Sequence, residues 1–534
     1  MTIRINNLRL DLEQNIEELK PLACKKLKVK KNDIKDFKIT KESVDARRKG
    51  KIDFIYSVEL VLDTDEESYV KKLNDSDVAY EESKIKDDFI PGDKLLNNRP
   101  CIVGSGPAGL FAALNLAQKG YRPIVFERGK NVDERSNTVQ KFWRTGNFDP
   151  ECNVQFGEGG AGTFSDGKLT TRIKDKRSSI VVEELVKYGA PTDIVYNYKP
   201  HIGTDILRNV IKNIRNEIIR LGGEIHFSSR LTDINIENGI LKSIRINNST
   251  HMDCQVLILA IGHSARDTIE MMNKRGIKLS PKPLAVGFRV EHKQSMIDTA
   301  QYGKFASHPK LRAADYKLTY HSSKFERGCY SFCMCPGGIV VAAASEEGRL
   351  VTNGMSEHAR DKENANSALV CTVNARDFAS KDALSGIQYQ RRLEEAAYKL
   401  GGGNFVAPVQ RIDDFLYDRK TVKLGTVTPS YTRGYTLSNL NDCIPDEVSA
   451  VIKEALANFD RKIKGFGSGS GILTGVETRT SSPVRIDRHD NCQSVEVTGI
   501  YPAGEGAGYA GGIVSAAVDG IRVSEEIMKI YAPF

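Results

Sequence analysis

The chain has 534 residues, of which 40% are hydrophobic and 27% are charged, and its formal net charge is +8. A chain of this length exceeds what one hydrophobic core usually supports, so we expect about two to four domains. The modest charge, without a long basic or acidic tail, excludes a strongly basic nucleic-acid binder. The ten cysteines are scattered, which is typical of reduced thiols. The sequence lacks an apolar leader and any apolar run of about 18 residues, so we predict a cytoplasmic protein that does not span a membrane.

Residues 1–95 are predicted to form a separate small domain. Apolar patterning gives this order of elements: a strand at 3–12, a helix at 17–27, and two further alternating stretches at 33–43 and 51–62. The order predicts a compact α+β unit of the ferredoxin-like kind.

The N-terminal domain is also rich in charge. Its stretch from Lys20 to Lys51 contains many lysines and arginines, which form either a solvated face or a docking surface for RNA or an acidic protein. The polar segment 79–99 is typical of a linker into the next domain.

From Arg99 the pattern changes to one βαβ unit. A short apolar strand, a glycine turn and a helix occupy 99–120, and a second strand follows at 121–129. Gly104 permits the tight turn, Gly106 lets the backbone approach a pyrophosphate, and Gly109 lets the helix pack closely on the strand. The phosphates would meet the helix N-terminus at Pro107 and Ala108. Glu127, about 20 residues further on, would accept hydrogen bonds from the ribose hydroxyls, which disfavours NADP.

Later segments favour FAD over NAD alone. A long amphipathic helix from Thr204 leads to a strand, a meander follows at 230–246, and an apolar strand at 253–268 ends in a glycine turn. A strand, an acidic glycine turn and a helix recur at 494–531. This order resembles the FAD domain of the glutathione reductase and p-hydroxybenzoate hydroxylase type, in which such distant pieces share one cofactor.

That resemblance implies further cofactor contacts. Ala260 and Gly262 match the turn that passes beside the cofactor. Gly504 and Glu505 match a Gly-Asp pair whose carboxylate binds the ribityl chain, with Glu in place of Asp here. The N-terminus of the last helix would stabilise negative charge on the flavin. The remaining residues expected at the cofactor are Gly511, Gly512, Ile513, Arg128, Arg135 and Leu231.

A glycine-rich segment at 153–172 is predicted to run along the flavin ring. Gly159 and Gly160 leave the backbone bare, and Ser165 and Lys168 would address polar edges of the ring. A surface loop is the alternative interpretation.

Several strings together resemble the bacterial FAD-dependent (NAD(FAD)-utilising) dehydrogenases, a family whose substrate is unassigned. The strings lie at 103–110, 153–169, 285–292, 331–338, 353–356, 475–486 and 501–513. The resemblance implies an α/β fold with a Rossmann-like two-dinucleotide-binding FAD domain, an inserted α+β substrate domain and the small N-terminal domain. The expected boundaries are 1–95, 96–280 for the first part of the FAD domain, 281–482 for the insertion, and 483–534 for its C-terminal part.

Three cysteines cluster in the predicted substrate domain. The spacing of Cys329, Cys333 and Cys335 argues against a zinc or iron–sulfur site, so we predict no metal. On a strand, Cys333 and Cys335 would face the same side. They are candidates for a redox or nucleophilic thiol facing the flavin, and inert packing is the alternative.

Other candidate catalytic residues are polar groups near glycine turns. Glu477, Arg479 and Arg485 would bind an anionic substrate or form a structural ion pair. His263 would act as a proton donor or as a capping residue. The glycines near 465–475 do not follow a strand and are not a second dinucleotide fingerprint, so NAD(P)H would visit only transiently.

The leading functional hypothesis is an FAD-dependent oxidoreductase, a dehydrogenase that transfers hydride or electrons through flavin N5 to or from a small molecule or redox protein. A flavin-dependent RNA-modifying enzyme is the second hypothesis, favoured if Lys20–Lys51 shares a face with the flavin cleft. A non-catalytic FAD-binding regulatory protein is the third, favoured if the cleft is closed and lacks polar groups.

Overall fold

The N-terminal unit is a four-stranded antiparallel sheet with two helices. The computed structural model describes residues 2–47, 50–63, 65–81, 90–378 and 380–534. The sheet order β2-β3-β1-β4 confirms the ferredoxin-like prediction, and α2 is a second helix that the alternating pattern did not reveal. The elements are β1 (Thr2–Asp11), α1 (Leu19–Leu27), β2 (Ile34–Asp45), β3 (Asp53–Leu62), α2 (Glu66–Leu73) and β4 (Val78–Glu81).

A bulge keeps the apolar side chains of β1 on one face. The pairing of β1 with β3 shifts register between Ile5 and Leu8, and Asn7 adopts a positive φ of 59° there. Ile3, Ile5 and Leu8 are consequently all buried, although strict alternation would have turned Leu8 outward. The predicted linker at 79–99 and the basic stretch Lys20–Lys51 both lie partly outside the described residues.

The second unit, called here the parallel unit, contains a five-stranded sheet in the order β23-β11-β5-β6-β7. All four pairings in it are parallel. Its central strands are short and wholly apolar because both faces are covered: helices cover one face, and the antiparallel sheet β10-β9-β8 with one further helix covers the other. The elements are β5 (Cys101–Val103), α3 (Pro107–Gln118), β6 (Ile124–Phe126), α4 (Val132–Thr145), α5 (Arg177–Lys187), α6 (Thr204–Arg220), β7 (Glu224–His226), β8 (Leu231–Glu237), β9 (Ile240–Ile246), β10 (Thr250–Asp253), β11 (Leu257–Leu259) and α7 (Arg266–Lys274).

The third unit, called here the antiparallel unit, is built on a seven-stranded sheet in the order β14-β15-β18-β13-β21-β19-β20. Its longest strands, β13 and β18, are buried along almost their whole length. The elements are β12 (Leu279–Pro281), β13 (Leu284–Lys293), α8 (Gln294–Tyr302), β14 (Thr319–Ser322), β15 (Arg327–Cys335), β16 (Ile339–Ala342), β17 (Thr352–Met355), β18 (Asn364–Val373), α9 (Ser385–Leu400), β19 (Ala407–Arg411), α10 (Ile412–Leu416), β20 (Tyr435–Leu437), α11 (Asp446–Lys462), β21 (Ile472–Glu477) and β22 (Val484–Ile486).

The C-terminal residues return to the parallel unit. β23 (Ile500–Pro502) pairs with β11, and α12 (Ile513–Met528) packs against α3. A Cβ at Gly520 would lie 2.1 Å from the carbonyl oxygen of Ala108, so glycine is required for the two helices to approach this closely. This return confirms the predicted α/β fold class with an inserted unit, and the exact domain boundaries stay predictions.

Helix composition bears on membrane spanning. Across the ranges that the structure describes, we find no helix that combines the length and the apolar character needed to cross a bilayer. The predicted cytoplasmic location stays a prediction.

Candidate active site

One elongated cavity of about 370 Å³ lies between the parallel and the antiparallel units. It begins at the carboxyl ends of β5 and β6, which is where open parallel sheets bind ligands, and it ends against β15, β17 and β21. Most of the predicted site residues line it, namely Gly104, Gly106, Pro107, Ala108, Glu127, Arg128, Gly160, Ser165, Lys168, Leu231, Ala260, Gly262, His263, Cys333, Glu477, Arg479, Glu505, Gly511, Gly512 and Ile513.

The glycine turn after β5 leaves the backbone bare at one end of the cavity. Gly104 has a φ of +99°, and a Cβ there would lie 2.3 Å from the Ala260 carbonyl oxygen. A Cβ on Gly109 would lie 1.9 Å from the Gly104 oxygen, which explains why Gly109 packs behind the turn instead of lining the cavity. At Gly106 the nearest atom to a Cβ would be the Gly160 Cα at 3.7 Å. Space on the cavity side of Gly106 is therefore free for a ligand.

Glu127 connects the turn to the glycine-rich loop. One carboxylate oxygen accepts hydrogen bonds from the backbone N–H of Ser105 at 2.9 Å and from its hydroxyl at 2.8 Å. The other accepts from the N–H groups of Gly129 and Gly157, each at 2.9 Å. The predicted contact to a ribose hydroxyl stays a prediction, and it would replace the bond from the Ser105 hydroxyl, which is free to rotate.

Arg135 does not reach the cavity, which corrects its prediction as a cofactor contact. Its guanidinium is fully buried, and burial lowers its pKa to about 10. A guanidinium has five N–H donors, so it can bond to several backbone carbonyls of one loop at once. Arg135 therefore holds the shape of the loop that covers the cavity. The carbonyl acceptors belong to Asn153, Val154, Gly157, Glu158 and Gly160.

Gly159 and Gly504 also lie just behind the cavity wall. The N–H of Gly159 donates to the Ser105 oxygen at 2.9 Å, which ties the loop to the turn. The N–H of Gly504 donates to the Asp519 carboxylate at 2.7 Å, and Arg488 holds that carboxylate at 2.6 Å. Sequence reasoning missed the Arg488–Asp519 pair because the two residues are ordinary charges in the sequence, on different elements.

At the other end of the cavity, a bulge in β15 turns Cys333 inward. Phe332 pairs with Ala368, but the next paired residue on β15 is Cys335, opposite Asn366. Cys333 takes a φ of +43° in this irregularity, a strained backbone for a residue with a Cβ. The bulge places the Cys333 thiol at the cavity wall, whereas Cys335 is fully buried behind it.

Arg289 on β13 is a fully buried cation at this end. Its Nη2 donates to the Cys333 carbonyl at 3.1 Å, and its Nη1 lies 3.5 Å from the Glu477 carboxylate. The ammonium of Lys168 bonds to the Met334 carbonyl. Sequence reasoning missed Arg289, and the available signal was a charged residue inside an otherwise apolar strand pattern at 284–290.

Glu477 is the titratable group at this end whose pKa suits proton transfer. Burial raises its pKa to about 7, and the Arg289 cation only partly offsets that rise. Its second oxygen accepts a hydrogen bond from the Thr352 hydroxyl at 3.3 Å. Burial likewise raises the pKa of Glu505 to about 7, with Lys282 opposing it. Both carboxyl groups populate their protonated and ionised forms near neutral pH.

The raised pKa of Glu477 predicts a pH-dependent stability difference. The pKa of Glu477 in the folded protein lies above its unfolded value near 4.5. The stability that protonated Glu477 contributes is therefore fully present below pH 4.5 and is lost as the pH rises through 7. The Glu477→Gln variant cannot ionise at this position. The difference in unfolding free energy between this variant and wild type should therefore shift in favour of the variant by up to about 3 kcal/mol from pH 4.5 to about pH 8. Denaturant titrations at several pH values measure this gain. A constant difference would contradict the shift, and the exposed Glu395→Gln serves as the control.

His263 and Arg479 both line the cavity, but His263 is uncharged and Arg479 is held in an ion pair. Burial, with Arg479 and Arg266 nearby, lowers the pKa of His263 to about 3, so its imidazole is neutral and lacks the cationic form that donates protons best. Its Nδ1 lies 3.0 Å from the Ser264 hydroxyl. Arg479 is paired with Glu394 at 3.1 Å, which agrees with the structural ion pair that the sequence analysis gave as the alternative to substrate binding. The Arg485 guanidinium lies 5.4 Å from the Tyr509 ring centre.

The residues around the cavity fit FAD. The N-terminus of α3 opens into the cavity beside Gly106, where bare backbone N–H groups suit a pyrophosphate. A second N-terminus, that of α12, faces the cavity behind Gly511 and Gly512. A Cβ at Gly511 would meet no atom within 4 Å, and one at Gly512 would meet only the Ser515 hydroxyl at 3.9 Å. The positive N-terminus of α12 suits a flavin ring, which gains negative charge on reduction.

Comparisons with known proteins agree with this fit. Residues 98–282 match a family model described as pyridine nucleotide-disulphide oxidoreductase, and residues 283–480 match one described as FAD-dependent protein, C-terminal domain-like. Residues 2–61 match a domain of unknown function. A Clostridium beijerinckii protein described as uncharacterized is 54% identical over 529 residues, covering 99% of each chain. The chain belongs to this family of FAD-dependent oxidoreductases. FAD is the family's cofactor, and the family's substrate is unassigned.

Three solved structures share a partial likeness with the chain at low sequence identity. The chain is similar to CtdE solved in complex with FAD, at 11% identity and a TM-score of 0.32, covering 80% of this chain and 83% of that one. For E. coli quinol fumarate reductase the identity is 11% and the TM-score 0.35, covering 82% and 70%. For glycine oxidase from Geobacillus kaustophilus they are 9% and 0.33, covering 81% and 95%. Likeness at this level says nothing about the substrate.

Proposed function

We propose that this FAD-dependent oxidoreductase passes two electrons between its flavin and a substrate bound at the Cys333–Glu477 end of the cavity. When bound, FAD supplies the redox chemistry at its ring, and the protein orients the reactants. The observation that supports the proposal is the continuity of one cavity from the Gly106 turn to a cluster of buried, titratable side chains. A merely structural cofactor site has no need of such a cluster.

Glu477 manages the proton in this proposal. Its pKa of about 7 lets the carboxylate take a proton from a substrate that is oxidised, or return one to a substrate that is reduced. Arg289 fixes one oxygen of the carboxylate, and Thr352 fixes the other. The group is therefore oriented before a substrate arrives.

The reductant of the flavin in this proposal is a visiting nicotinamide nucleotide. Within the described ranges, the five-stranded parallel sheet offers one glycine turn of the dinucleotide type, and the FAD phosphates take that turn. A nicotinamide therefore has no dedicated domain here and would bind at the open side of the cavity, beside Asn353 and Phe332. Hydride transfer through flavin N5 belongs to this proposal.

Polar groups at the substrate end weigh against the non-catalytic alternative, because that alternative is favoured only by a closed cleft that lacks polar groups. The RNA-modifying alternative gains no support from the basic stretch. Four of its cations pair with acids of the same N-terminal unit, which weakens the field available to a phosphate backbone. The paired cations are Lys26, Lys35, Arg47 and Lys51.

Anaerobic stopped-flow spectroscopy with NADH and NADPH tests the proposal. We expect one nucleotide to bleach the flavin bands of the wild-type holoprotein rapidly. Asn353→Trp should slow this bleaching at least roughly tenfold by filling the open side of the cavity, at unchanged FAD content. Asn235→Trp, on the exposed face of β8, serves as the matched control. Failure of both nucleotides to bleach a flavin that dithionite reduces would overturn the proposal.

A further inference from the structure

Four charged side chains from separate segments meet at the end of the cavity beside Glu127. Arg128 directly follows Glu127, and Arg230 directly precedes β8. Both arginines line the main cavity, and both also line a second, outer cleft of about 300 Å³. They therefore form the partition between the main cavity and the outer cleft. Glu151 lines the outer cleft, and Asp267 belongs to the first turn of α7.

Each arginine of this group contacts both acids. The Arg128 Nε donates to Glu151 at 3.0 Å, and its Nη1 and Nη2 donate to the two carboxylate oxygens of Asp267 at 3.0 and 3.1 Å. The Arg230 Nη1 donates to the other oxygen of Glu151 at 2.7 Å and lies 3.6 Å from Asp267. The four side chains form a closed ring of ion pairs, called here the ionic ring. Such bidentate pairing fixes the orientation of a guanidinium.

The arginines form the anchored side of the ionic ring. The N–H of Ser229 donates to the Glu127 carbonyl at 2.8 Å, which joins the segment of Arg230 to that of Arg128. The side-chain oxygen of Asn247 accepts from the N–H of Arg230 at 2.9 Å. These backbone contacts hold the two arginines at the cavity wall.

The acids form the movable side of the ionic ring. The side chains of Glu151 and Asp267 are 39% and 46% exposed, whereas that of Arg128 is 13% exposed. Exposed carboxylates exchange an ion pair for water and dissolved cations at little cost in free energy. The ring can therefore open by outward rotation of the two acidic side chains, which frees the arginines to swing away from the partition.

We propose that the ionic ring is a latch over the adenosine half of bound FAD, and that its opening limits how fast FAD enters and leaves. The ribose is expected at Glu127, so the adenine lies against the partition. Arg128 directs its Nε, Nη1 and Nη2 to the two acids, so it acts on the path of the cofactor and not through a hydrogen bond to it. Such a latch retains FAD while a nucleotide binds and leaves at the other end.

Exchange of radiolabelled FAD tests the latch. Holoprotein that carries labelled FAD is mixed with a large excess of unlabelled FAD, and the label that stays with the protein is followed by rapid gel filtration. We expect the double variant Glu151→Gln/Asp267→Asn to release FAD roughly tenfold faster than wild type, because both arginines lose their charged partners. Its association rate, followed by flavin fluorescence, should rise by a similar factor, so that the Kd changes less than about threefold.

Asp233→Asn is the matched control for the double variant. Asp233 accepts a hydrogen bond from the Arg275 Nε at 2.7 Å on the surface of the same unit, and this variant should exchange FAD at the wild-type rate. Raising NaCl from about 20 mM to about 500 mM should speed release from wild type more than from the double variant, because salt screens exposed ion pairs.

Two results of the exchange measurement would overturn the inference. Unchanged release in the double variant would show that the ionic ring does not limit exchange. Faster release with an equal loss of affinity would show that the four charges hold FAD directly. Both readouts are independent of nucleotide bleaching, so failure of the latch and failure of the proposed function are separate outcomes.

Discussion

Replacing Gly106 with valine is expected to weaken FAD binding roughly 100-fold, a loss of about 3 kcal/mol, while the chain stays folded. Gly106 has a φ of −72°, which valine adopts without strain. The nearest protein atom to its Cβ position is 3.7 Å away, so the added methyl groups would meet the pyrophosphate of the cofactor and not the protein. Titration of apoprotein with FAD, followed by flavin fluorescence, measures the change.

Gly328→Val is the matched control for this prediction. Gly328 lies on β15 in the antiparallel unit, and its Cβ position meets only the Thr372 hydroxyl at 3.6 Å. This variant should bind FAD as wild type does. Wild-type affinity in Gly106→Val would show that the phosphates bind elsewhere.

Glu394→Gln is expected to cost about 3–5 kcal/mol of stability, because it removes the fully buried counter-charge that Arg266 and Arg479 share. The carboxylate that remains near the two guanidiniums is that of Glu346. Glu394 on α9 is fully buried, 2.7 Å from Arg266 and 3.1 Å from Arg479. Burial opposes its charged form, yet the two guanidiniums hold the pKa of Glu394 well below its usual value. Its stabilisation therefore persists above the unfolded glutamate pKa and is lost only as the pH falls through the lower folded pKa.

The neighbouring residue supplies the control for the buried network. Glu395 pairs with Lys399 at 2.8 Å, but the two side chains are 49% and 73% exposed. Glu395→Gln should therefore change stability by no more than about 0.5 kcal/mol. Denaturant unfolding in excess FAD compares the two variants, and equal effects would contradict the role of Glu394 as a buried counter-charge.

Local motifs made much of the fold predictable. The Gly104–Gly109 turn, the acid at Glu127 and the closing turn at Gly504 each carry their structural requirement within a few residues, so their positions follow from the sequence. The first βαββ part of the N-terminal unit follows from short apolar periodicities, whereas the sequence pattern did not predict α2 or β4.

The parts that could not be predicted depend on distant partners. The Cys333 bulge is set by the register of β15 against β18, and a strand pattern alone places Cys333 in an ordinary extended position. Arg135 is expected from the family resemblance to contact the cofactor, yet its guanidinium is buried against the carbonyls of the glycine-rich loop. Arg266 and Glu394 are separated by 128 residues, and no local signal joins them.

A crystal structure of the holoprotein tests the central claim most directly. The account predicts that the FAD adenosine lies beside Glu127, the pyrophosphate at Gly106, and the isoalloxazine ring at the end of the cavity formed by Cys333 and Glu477. A reversed cofactor, or a ring outside this cavity and away from Cys333, would contradict the account.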